Sequence, residues 1–328
     1  MQMDSSLKKG NGSINILNVG TKLLRKDLMD QYIRTLGDYK TYYADSVTWA
    51  LRTISEKEIH IVITETDLHD GSAFRLCQAV EGENRHIYFV FVKDEDRSIE
   101  DVRGLAAEVD VQAVLTAPFT QTHLKTQIEY YKKWREEQKE PWRLLLRNAR
   151  TAIHAKNYAD AEKNFQAAIQ VAPNNPVPLY KAGTYYMGKQ GHVDVAMQLL
   201  EKAVQITPDS IPATSALGLL FFAEGELNAA ELLLRDAQKW SPLNPDRLVK
   251  IAQLHVALSM KSCQESLRLD FENAEARMIL GKLLLFKKDY IHSIQELERS
   301  LPALKDDLRN EAKGYIALAR KLGGIRSD

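Results

Sequence analysis

The stretch Ile59-His60-Ile61-Val62-Ile63-Thr64-Glu65 decides the fold of the first part of the chain. It is a short apolar run that ends in an acid, and Asp70-Gly71-Ser72 follows shortly after it. An apolar run of this length, rich in β-branched residues and closed by turn residues, predicts a buried strand over Ile59 to Thr64. Similar runs predict further strands at Ile14–Val19, Tyr39–Ala44, His86–Val92 and Val111–Thr116.

Amphipathic segments separate these strands. Apolar residues at helical spacing predict helices over residues 23–36, 46–55, 72–80 and 98–109, with a possible cap at Asp45, and a last helix begins near Thr120. Strands that alternate with helices predict an α/β fold with a doubly wound, five-stranded parallel sheet over residues 14–131.

A charged connector is expected after this sheet. The stretch from Thr120 to Glu140 contains neither glycine nor proline, so the last helix should continue through a connector over residues 132–141. Pro141 then fits the first turn of a new helix. The aromatic residues Tyr130, Tyr131 and Trp134 could form a docking stripe on this connector, but we expect them to pack against the sheet or against the next helices.

Beyond Pro141 the chain repeats itself. Small residues recur with spacings of 34, 35, 34 and 29 residues, at Ala149, Gly183, Gly218, Ala252 and Gly281. A second series follows at Ala161, Ala196, Ala230, Ser259 and Ser293, and a third at Ala168, Ala203, Ala237, Ser266 and Ser300. Repeats of this length indicate an array of stacked structural units over residues 142–328.

Composition narrows the class of protein. The 328 residues carry 44 basic and 44 acidic side chains, so no net charge draws the chain to nucleic acid or to a membrane surface. Residues 1–13 are polar and are expected to be disordered. Cys77 and Cys263 are too far apart for a zinc motif and are expected to be packing residues. These features indicate a cytoplasmic protein without metal or other cofactors.

The first domain resembles the response-regulator receiver domain, on the strength of its strand and helix order, Asp70-Gly71-Ser72 and Ala117-Pro118-Phe119. In that family an acidic pair binds Mg²⁺, an aspartate accepts the phosphoryl group, and a hydroxyl residue and a lysine complete the site. Alignment by strand ends places different residues at all of these positions: Gly20 and Thr21, Glu65, Phe91, and Ala117. The resemblance therefore implies a degenerate, chemically silent receiver.

Several interpretations of Glu65 remain open. It could be an exposed acid at a strand end without a role, a permanent negative charge that mimics a phosphoryl group, or part of a domain frozen in one structural state. A shifted loop alignment would instead make Asp67 the phosphoryl acceptor.

The second half resembles the tetratricopeptide repeat (TPR), a helix-turn-helix unit of about 34 residues. The resemblance implies an all-α solenoid of stacked helix pairs over residues 142–328, with about five repeats and a C-terminal capping helix. The fourth repeat is five residues short between Ala252 and Ser259. The end of its first helix, or its inner turn, is therefore expected to be truncated.

The resemblance implies that the concave face of the repeats binds a partner. The projected inward positions are largely apolar: Tyr180, Met187, Leu219, Phe222, Val249, Val256, Met278 and Leu285. Such a groove suits a helix or an extended apolar segment. Arg143, Arg150 and His154 of the first repeat could meet an acidic end of that ligand, although the lysine and asparagine clamp of some TPR proteins is not matched. The apolar positions could equally pack against each other or against the receiver.

The two resemblances together imply a non-enzymatic bacterial signalling adaptor. Its eight histidines are scattered, and no phosphate-binding glycine loop or nucleophile motif is present. A homodimer through the receiver or the connector is possible. The alternatives are a phosphorylation-responsive regulator with TPR output and a TPR module that serves self-assembly.

Overall fold

The computed structural model describes residues 13–37, 39–82 and 86–325. The predicted disorder of residues 1–13 falls almost entirely outside this range. The chain forms two compact units. The first runs to Leu220 and includes Leu233–Pro245, and the second comprises Phe221–Leu232 and the chain from Asp246.

The α/β domain contains a five-stranded parallel sheet with the order β2-β1-β3-β6-β7. Its strands are β1 (Ile14–Val19), β2 (Tyr39–Ala44), β3 (Ile61–Glu65), β6 (Tyr88–Lys93) and β7 (Ala113–Thr116). A two-residue hairpin, β4 (Asp67–Leu68) with β5 (Gly71–Ser72), lies beyond β3. The predicted doubly wound parallel sheet is confirmed.

Five helices accompany the sheet. They are α1 (Lys26–Arg34), α2 (Val47–Glu56), α3 (Ala73–Gly82), α4 (Ile99–Glu108) and α5 (Gln121–Glu137). The cap of α2 is Ser46 rather than Asp45, since the Ser46 hydroxyl accepts a hydrogen bond from the Trp49 amide.

Apolar side chains from alternate strand positions form one core on each face of the sheet. Leu17, Val62 and Phe91 belong to one core, and Ile16 and Ile63 belong to the other. This alternation is expected when helices cover both faces of a parallel sheet.

The aromatic residues of α5 divide between core and surface. Tyr131 is buried and makes edge-on ring contacts with Tyr88, which also contacts Trp134. The predicted packing is therefore confirmed for Tyr131 and Trp134. It is wrong for Tyr130, whose side chain is 55% exposed, because the sheet lies along only one side of the helix.

Helix α6 begins at Pro141, as predicted, and opens a series of helical hairpins. The pairs are α6 (Pro141–His154) with α7 (Tyr158–Val171), α8 (Pro176–Met187) with α9 (Val193–Ile206), α10 (Ile211–Ala223) with α11 (Leu227–Trp240), and α13 (Ala274–Phe286) with α14 (Tyr290–Ser300). A short 3₁₀ turn, Leu301–Ala303, precedes the last helix, α15 (Asp306–Gly323).

The small residues of the repeats allow close approach of paired helices. A Cβ atom on Gly183 would lie 2.7 Å from Cγ of Leu200, and one on Gly281 would lie 2.6 Å from Cγ of Leu297. Both distances are shorter than real side chains tolerate. The first small series therefore marks the contact between the two helices of a repeat, which supports the predicted all-α solenoid.

The fourth repeat departs from the prediction. It has no inner turn, and the single helix α12 runs continuously from Pro245 to Leu269. The expected truncated helix pair is wrong because the deletion removed the turn itself. The residues between Leu254 and Ser262 include no glycine, proline, asparagine or aspartate, so nothing there interrupts a helix. Four hairpins and one long helix replace the five predicted repeats.

Across the described ranges, no helix combines the length and the apolar character needed to span a bilayer.

Candidate functional site

Glu65 ends β3 at the position aligned with the receiver phosphoryl acceptor. Its side chain is only 5% exposed. One carboxylate oxygen, Oε1, accepts hydrogen bonds from the backbone amides of Leu23 at 2.7 Å and Leu24 at 2.9 Å. The interpretation of Glu65 as an exposed acid without a role is therefore wrong. Its carboxylate ties the loop after β1 to the end of β3.

Gly20 makes room for this arrangement. Its φ of +128° lies in a region that favours glycine, and a Cβ atom there would lie 2.5 Å from both Cγ and Oε1 of Glu65. A side chain at residue 20 and the observed position of Glu65 therefore exclude each other.

The other positions aligned with the receiver site offer few polar side chains. Thr21 is exposed, and Phe91 is fully buried in one of the sheet cores. The strand continues past Phe91, and Glu65 stands beside Val92 in the β3–β6 register. Ala117 donates its backbone amide to the carbonyl of Lys93 at 2.9 Å and precedes a cis peptide bond to Pro118.

Lys93 is a residue that alignment by the strand end did not single out. It is buried at the end of β6, where Nζ donates to the carbonyl oxygens of Asp94 at 2.8 Å and Arg97 at 2.6 Å. A lysine directly after an apolar strand was the available signal. Its ammonium group holds the loop that leads to α4.

The nearby aspartates are engaged elsewhere. Asp67 is paired with Arg97 at 2.8 Å. Asp70 accepts hydrogen bonds from the amides of Thr48 and Val47 and from the Thr48 hydroxyl, at 2.7 to 3.0 Å. These bonds, led by that of the Thr48 amide, lower the pKa of Asp70 to about 2. Asp70 therefore caps the first two amides of α2, in addition to the Ser46 cap. Within the described ranges, no three His, Cys, Asp or Glu side chains are grouped to hold a metal ion.

A second polar cluster joins the α/β domain to the first two hairpins, inside the first compact unit. Glu81, near the end of α3, pairs with Arg150 of α6 and with Nζ of Lys181 of α8 at 2.8 Å. Burial raises the pKa of Glu81, but the charges of Lys181 and Arg150 outweigh this effect, so its pKa is lowered overall. We call Glu81, Arg150 and Lys181 the interdomain ion cluster.

A second contact of the same interface lies on α4. A Cβ atom on Gly104 would overlap the backbone carbonyl of Trp240, so the two backbones touch. The side-chain amide of Asn244 donates to the carboxylate of Glu108, and Leu243 packs against a sheet core. The segment after α11 is therefore anchored on the α/β domain.

The basic residues of the first hairpin serve different contacts. Arg150 meets an acid, as expected of an acidic ligand, but that acid is Glu81 of the same chain. Arg143 lies 4.4 Å from the Trp142 ring centre and pairs with Glu140, while His154 is exposed. The structure thus brings only Arg150 into the interdomain ion cluster. Sequence reasoning missed Glu81 and Lys181, since no local pattern marks them.

The eight projected groove residues differ in exposure. Val249 is exposed, and the following six are partly buried: Tyr180, Met187, Leu219, Phe222, Val256 and Leu285. Burial raises the pKa of the Tyr180 hydroxyl. Met278 is only 3% exposed and packs with residues of α14 and α15, including Leu297 and Ile316. An open position for Met278 is therefore wrong, because its face of α13 forms the core of the last hairpin.

No protein-family model matches the sequence, and no curated protein matches it. Solved structures are similar to its parts. A response-regulator receiver domain protein from Clostridium thermocellum is 18% identical, with a TM-score of 0.34, over 38% of this chain and 97% of that one. A MamA structure is 19% identical, with a TM-score of 0.34, over 54% and 94% of the two chains. The first TPR of RPAP3, bound to an HSP90 peptide, is 19% identical, with a TM-score of 0.34, over 36% and 94%.

The strand order and the helical hairpins described above define the two folds of the chain. It joins a receiver-like α/β domain to TPR-like repeats.

Proposed function

We propose that this protein is a non-enzymatic bacterial signalling adaptor. Its receiver-like domain works without phosphorylation, and its TPR-like repeats bind a helix or peptide of a protein partner. The observation that carries the proposal is the state of Glu65. This carboxylate is buried and already accepts two backbone hydrogen bonds, so it is poorly placed to attack a phosphoryl donor.

The positions around Glu65 support the same proposal. Phosphoryl transfer depends on a metal ion that neutralises the phosphate charge. Gly20 and Thr21 offer no carboxylate to such an ion, and Ala117 stands where receivers have the lysine that completes the site. Glu65 is also poorly placed to mimic a phosphoryl group, since its carboxylate faces the amides of the loop after β1 rather than the surface.

Incubation with acetyl phosphate and Mg²⁺, followed by intact-mass measurement, tests phosphorylation independence. We expect no added phosphoryl mass, with an active receiver domain as the positive control. Mg²⁺-dependent labelling at Glu65 or Asp67 would instead favour the phosphorylation-responsive alternative.

The interdomain ion cluster supports a fixed role for the receiver-like domain. The side chains of its three charged residues are only 29 to 36% exposed, so each partly desolvated charge is favourable only while it stays paired. The receiver-like domain thereby contributes Glu81 to the basic end of the repeats. The remaining groove positions, Leu219 and Phe222 among them, are left for an apolar segment of the partner.

Affinity capture from the native cell extract tests partner binding. Phe222→Glu should remove the specific partner, because a charge would have to be desolvated in the groove. Leu232→Glu is the matched control, since Leu232 is already exposed on α11. Identical capture lists for wild type and Phe222→Glu would contradict groove binding. Self-association lost in Phe222→Glu without any loss of partner would favour the self-assembly alternative.

A further inference from the structure

The interdomain ion cluster is centred on a single carboxylate oxygen. Oε1 of Glu81 accepts a hydrogen bond from the guanidinium group of Arg150 and another, at 2.8 Å, from Nζ of Lys181. Hydrogen bonds between a cation and a carboxylate are stronger than those between neutral groups. Arg150 and Lys181 therefore form a carboxylate-binding site, and Glu81 occupies it.

The two cations of this site belong to the repeats, whereas the occupant belongs to the receiver-like domain. Arg150 lies on α6 and directly follows Ala149 of the first small series. Lys181 lies on α8, two positions before Gly183 of the same series. These helices open two successive hairpins and contact each other. The carboxylate site is therefore presented by helices that belong to the proposed partner-binding repeats.

The two cations need an anion between them. Their nitrogen atoms bond to the same oxygen, so they lie close together and would repel each other without a negative charge. The side chains of Arg150 and Lys181 are 30% and 29% exposed, so solvent screens this repulsion only in part. Among the residues that the structure describes, Glu81 is the only acid in ion-pair contact with either cation.

The charges around the site balance. Burial lowers the pKa of Lys181, but its interactions with Tyr180 and Glu81 raise the pKa by more, so the pKa is raised overall. Asp110, which follows α4, acts on Lys181 in the same direction. The two cations are thus matched by two anions, Glu81 and Asp110. No net charge is left at this site to attract an acidic ligand.

We propose that Glu81 is an internal ligand of the repeats and that it excludes acidic peptides from the site formed by Arg150 and Lys181. Resting on the proposed function, this exclusion defines which partner segment the groove accepts. The segment is apolar and carries no acid at the end that reaches the first two hairpins. Glu81 is thereby a specificity-determining residue, since a binding site gains specificity by rejecting the wrong ligand as well as by binding the right one.

Glu81 competes well with a free ligand because its domain is held against the repeats at a second contact. Gly104 of α4 touches the backbone carbonyl of Trp240. The side-chain amide of Asn244 donates to Glu108 of the same helix. A tethered group has an effective concentration on the order of millimolar. A free acidic peptide must exceed this concentration to replace Glu81.

Chemical rescue tests the site directly. Glu81→Ala empties it in the full chain and should speed amide exchange in α6 and α8 by about fivefold, the equivalent of one partly solvated ion pair. Sodium acetate supplies a free carboxylate and should slow this exchange towards the wild-type rate, whereas sodium chloride at equal ionic strength should not. If acetate and chloride act alike on the variant, the two cations do not select a carboxylate and the proposal is wrong.

Two matched variants separate rescue from a general effect of acetate on stability. Glu56→Ala removes the acid of an exposed ion pair with Arg52, and acetate should change its exchange no more than that of the wild type. Lys181→Met, added to Glu81→Ala, removes one of the two cations and should abolish the rescue. A rescue that persists in this double variant would show that acetate acts elsewhere and would refute the site.

Peptide binding tests the exclusion. The probe is a short fluorescent peptide, rich in leucine and alanine, that ends in glutamates, and the control peptide has glutamines in their place. The wild-type chain should not distinguish the two peptides. Glu81→Ala should bind the glutamate peptide roughly tenfold more tightly than the glutamine peptide, because charge-assisted hydrogen bonds to both cations become available. Equal affinities of the variant for the two peptides, or a preference of the wild type for glutamate, would contradict the exclusion.

Failure of this proposal is distinguishable from failure of the proposed function, since acetate rescue requires no partner. Identical capture lists for wild type and Phe222→Glu, together with acetate rescue of Glu81→Ala, would refute groove binding and leave Glu81 as an internal ligand. Capture that depends on Phe222, without acetate rescue of Glu81→Ala, would refute the internal ligand alone.

Discussion

Two glutamates of the α/β domain occupy opposite kinds of environment. Glu65 lies at the carboxyl edge of the sheet, where backbone amides of its own domain satisfy it. Glu81 lies at the end of α3, where side chains of two later helices satisfy it. The carboxylate of Glu65 links two parts of its own domain, whereas the carboxylate of Glu81 links the domain to the first two hairpins. The same kind of side chain therefore stabilises the inside of the domain in one place and its contact with the helical repeats in the other.

Among the substitutions around Glu65, Gly20→Ala should lower the free energy of unfolding most. The new Cβ forces a strained backbone and displaces Glu65, which together should cost about 3 kcal/mol or more of unfolding free energy. The lowered thermal midpoint of the α/β domain measures this loss. Gly314→Ala is the matched control. A Cβ on Gly314 meets nothing within 4 Å, so this change should stabilise α15 by about 0.5 to 1 kcal/mol. Equal midpoints for the two variants would refute the close packing at Gly20.

Glu65→Ala should have the next largest effect. It leaves the amides of Leu23 and Leu24 without their acceptor, which should cost about 2 to 3 kcal/mol. Glu65→Gln keeps a carbonyl oxygen and should lose less. In a double-mutant cycle, Gly20→Ala should cost less when Glu65 is already alanine, because the two residues compete for the same space. Additive losses in thermal unfolding would mean that they do not.

Glu81→Ala should weaken the interface by about 1 kcal/mol, a small value because the ion cluster is partly solvated. Faster amide exchange in α6 and α8 would report this loss. Glu56→Ala removes the exposed partner of Arg52 and should change nothing measurable. If the two variants behave alike, Glu81 contributes no more than a surface ion pair.

The smallest effect concerns pH and the Asp70 cap. Its pKa is lowered to about 2 in the folded chain from an ordinary value of 3.8. A lowered folded pKa stabilises the fold above the unfolded pKa, and this contribution is lost as pH falls through the folded value. The midpoint difference between wild type and Asp70→Asn should therefore be constant above pH 5 and should shrink from about pH 4 towards pH 2. A difference that does not vary over this range would contradict the cap.

Local sequence patterns predicted much of the fold, but they did not predict the contacts that Glu65 and Glu81 make. Five apolar runs sufficed for the sheet, because the buried strands and their spacing are encoded within short windows. The alignment located Glu65 but not its burial, since the two amides that bind it come from a loop 41 and 42 residues earlier. No local sequence pattern indicates the role of Glu81, because its partners lie 69 and 100 residues away.

The fourth repeat shows a similar limit to what a sequence pattern predicts. The spacing of small residues located the five-residue deletion between Ala252 and Ser259, and that location is where α12 runs through. The pattern did not reveal that the turn had vanished, because a short turn and a continuous helix give the same residue count. The residues 254–262 favour a helix over a turn, and this local preference makes α12 continuous.

Amide hydrogen exchange at Leu23 and Leu24, followed by NMR, tests most directly whether Glu65 is a structural link rather than a phosphoryl acceptor. Both amides should be protected in the wild-type chain, should lose protection in Glu65→Ala, and should not respond to Mg²⁺ with beryllofluoride. Rapid exchange of both amides in the wild type, or a change in them when Mg²⁺ and beryllofluoride are added together, would contradict this role for Glu65.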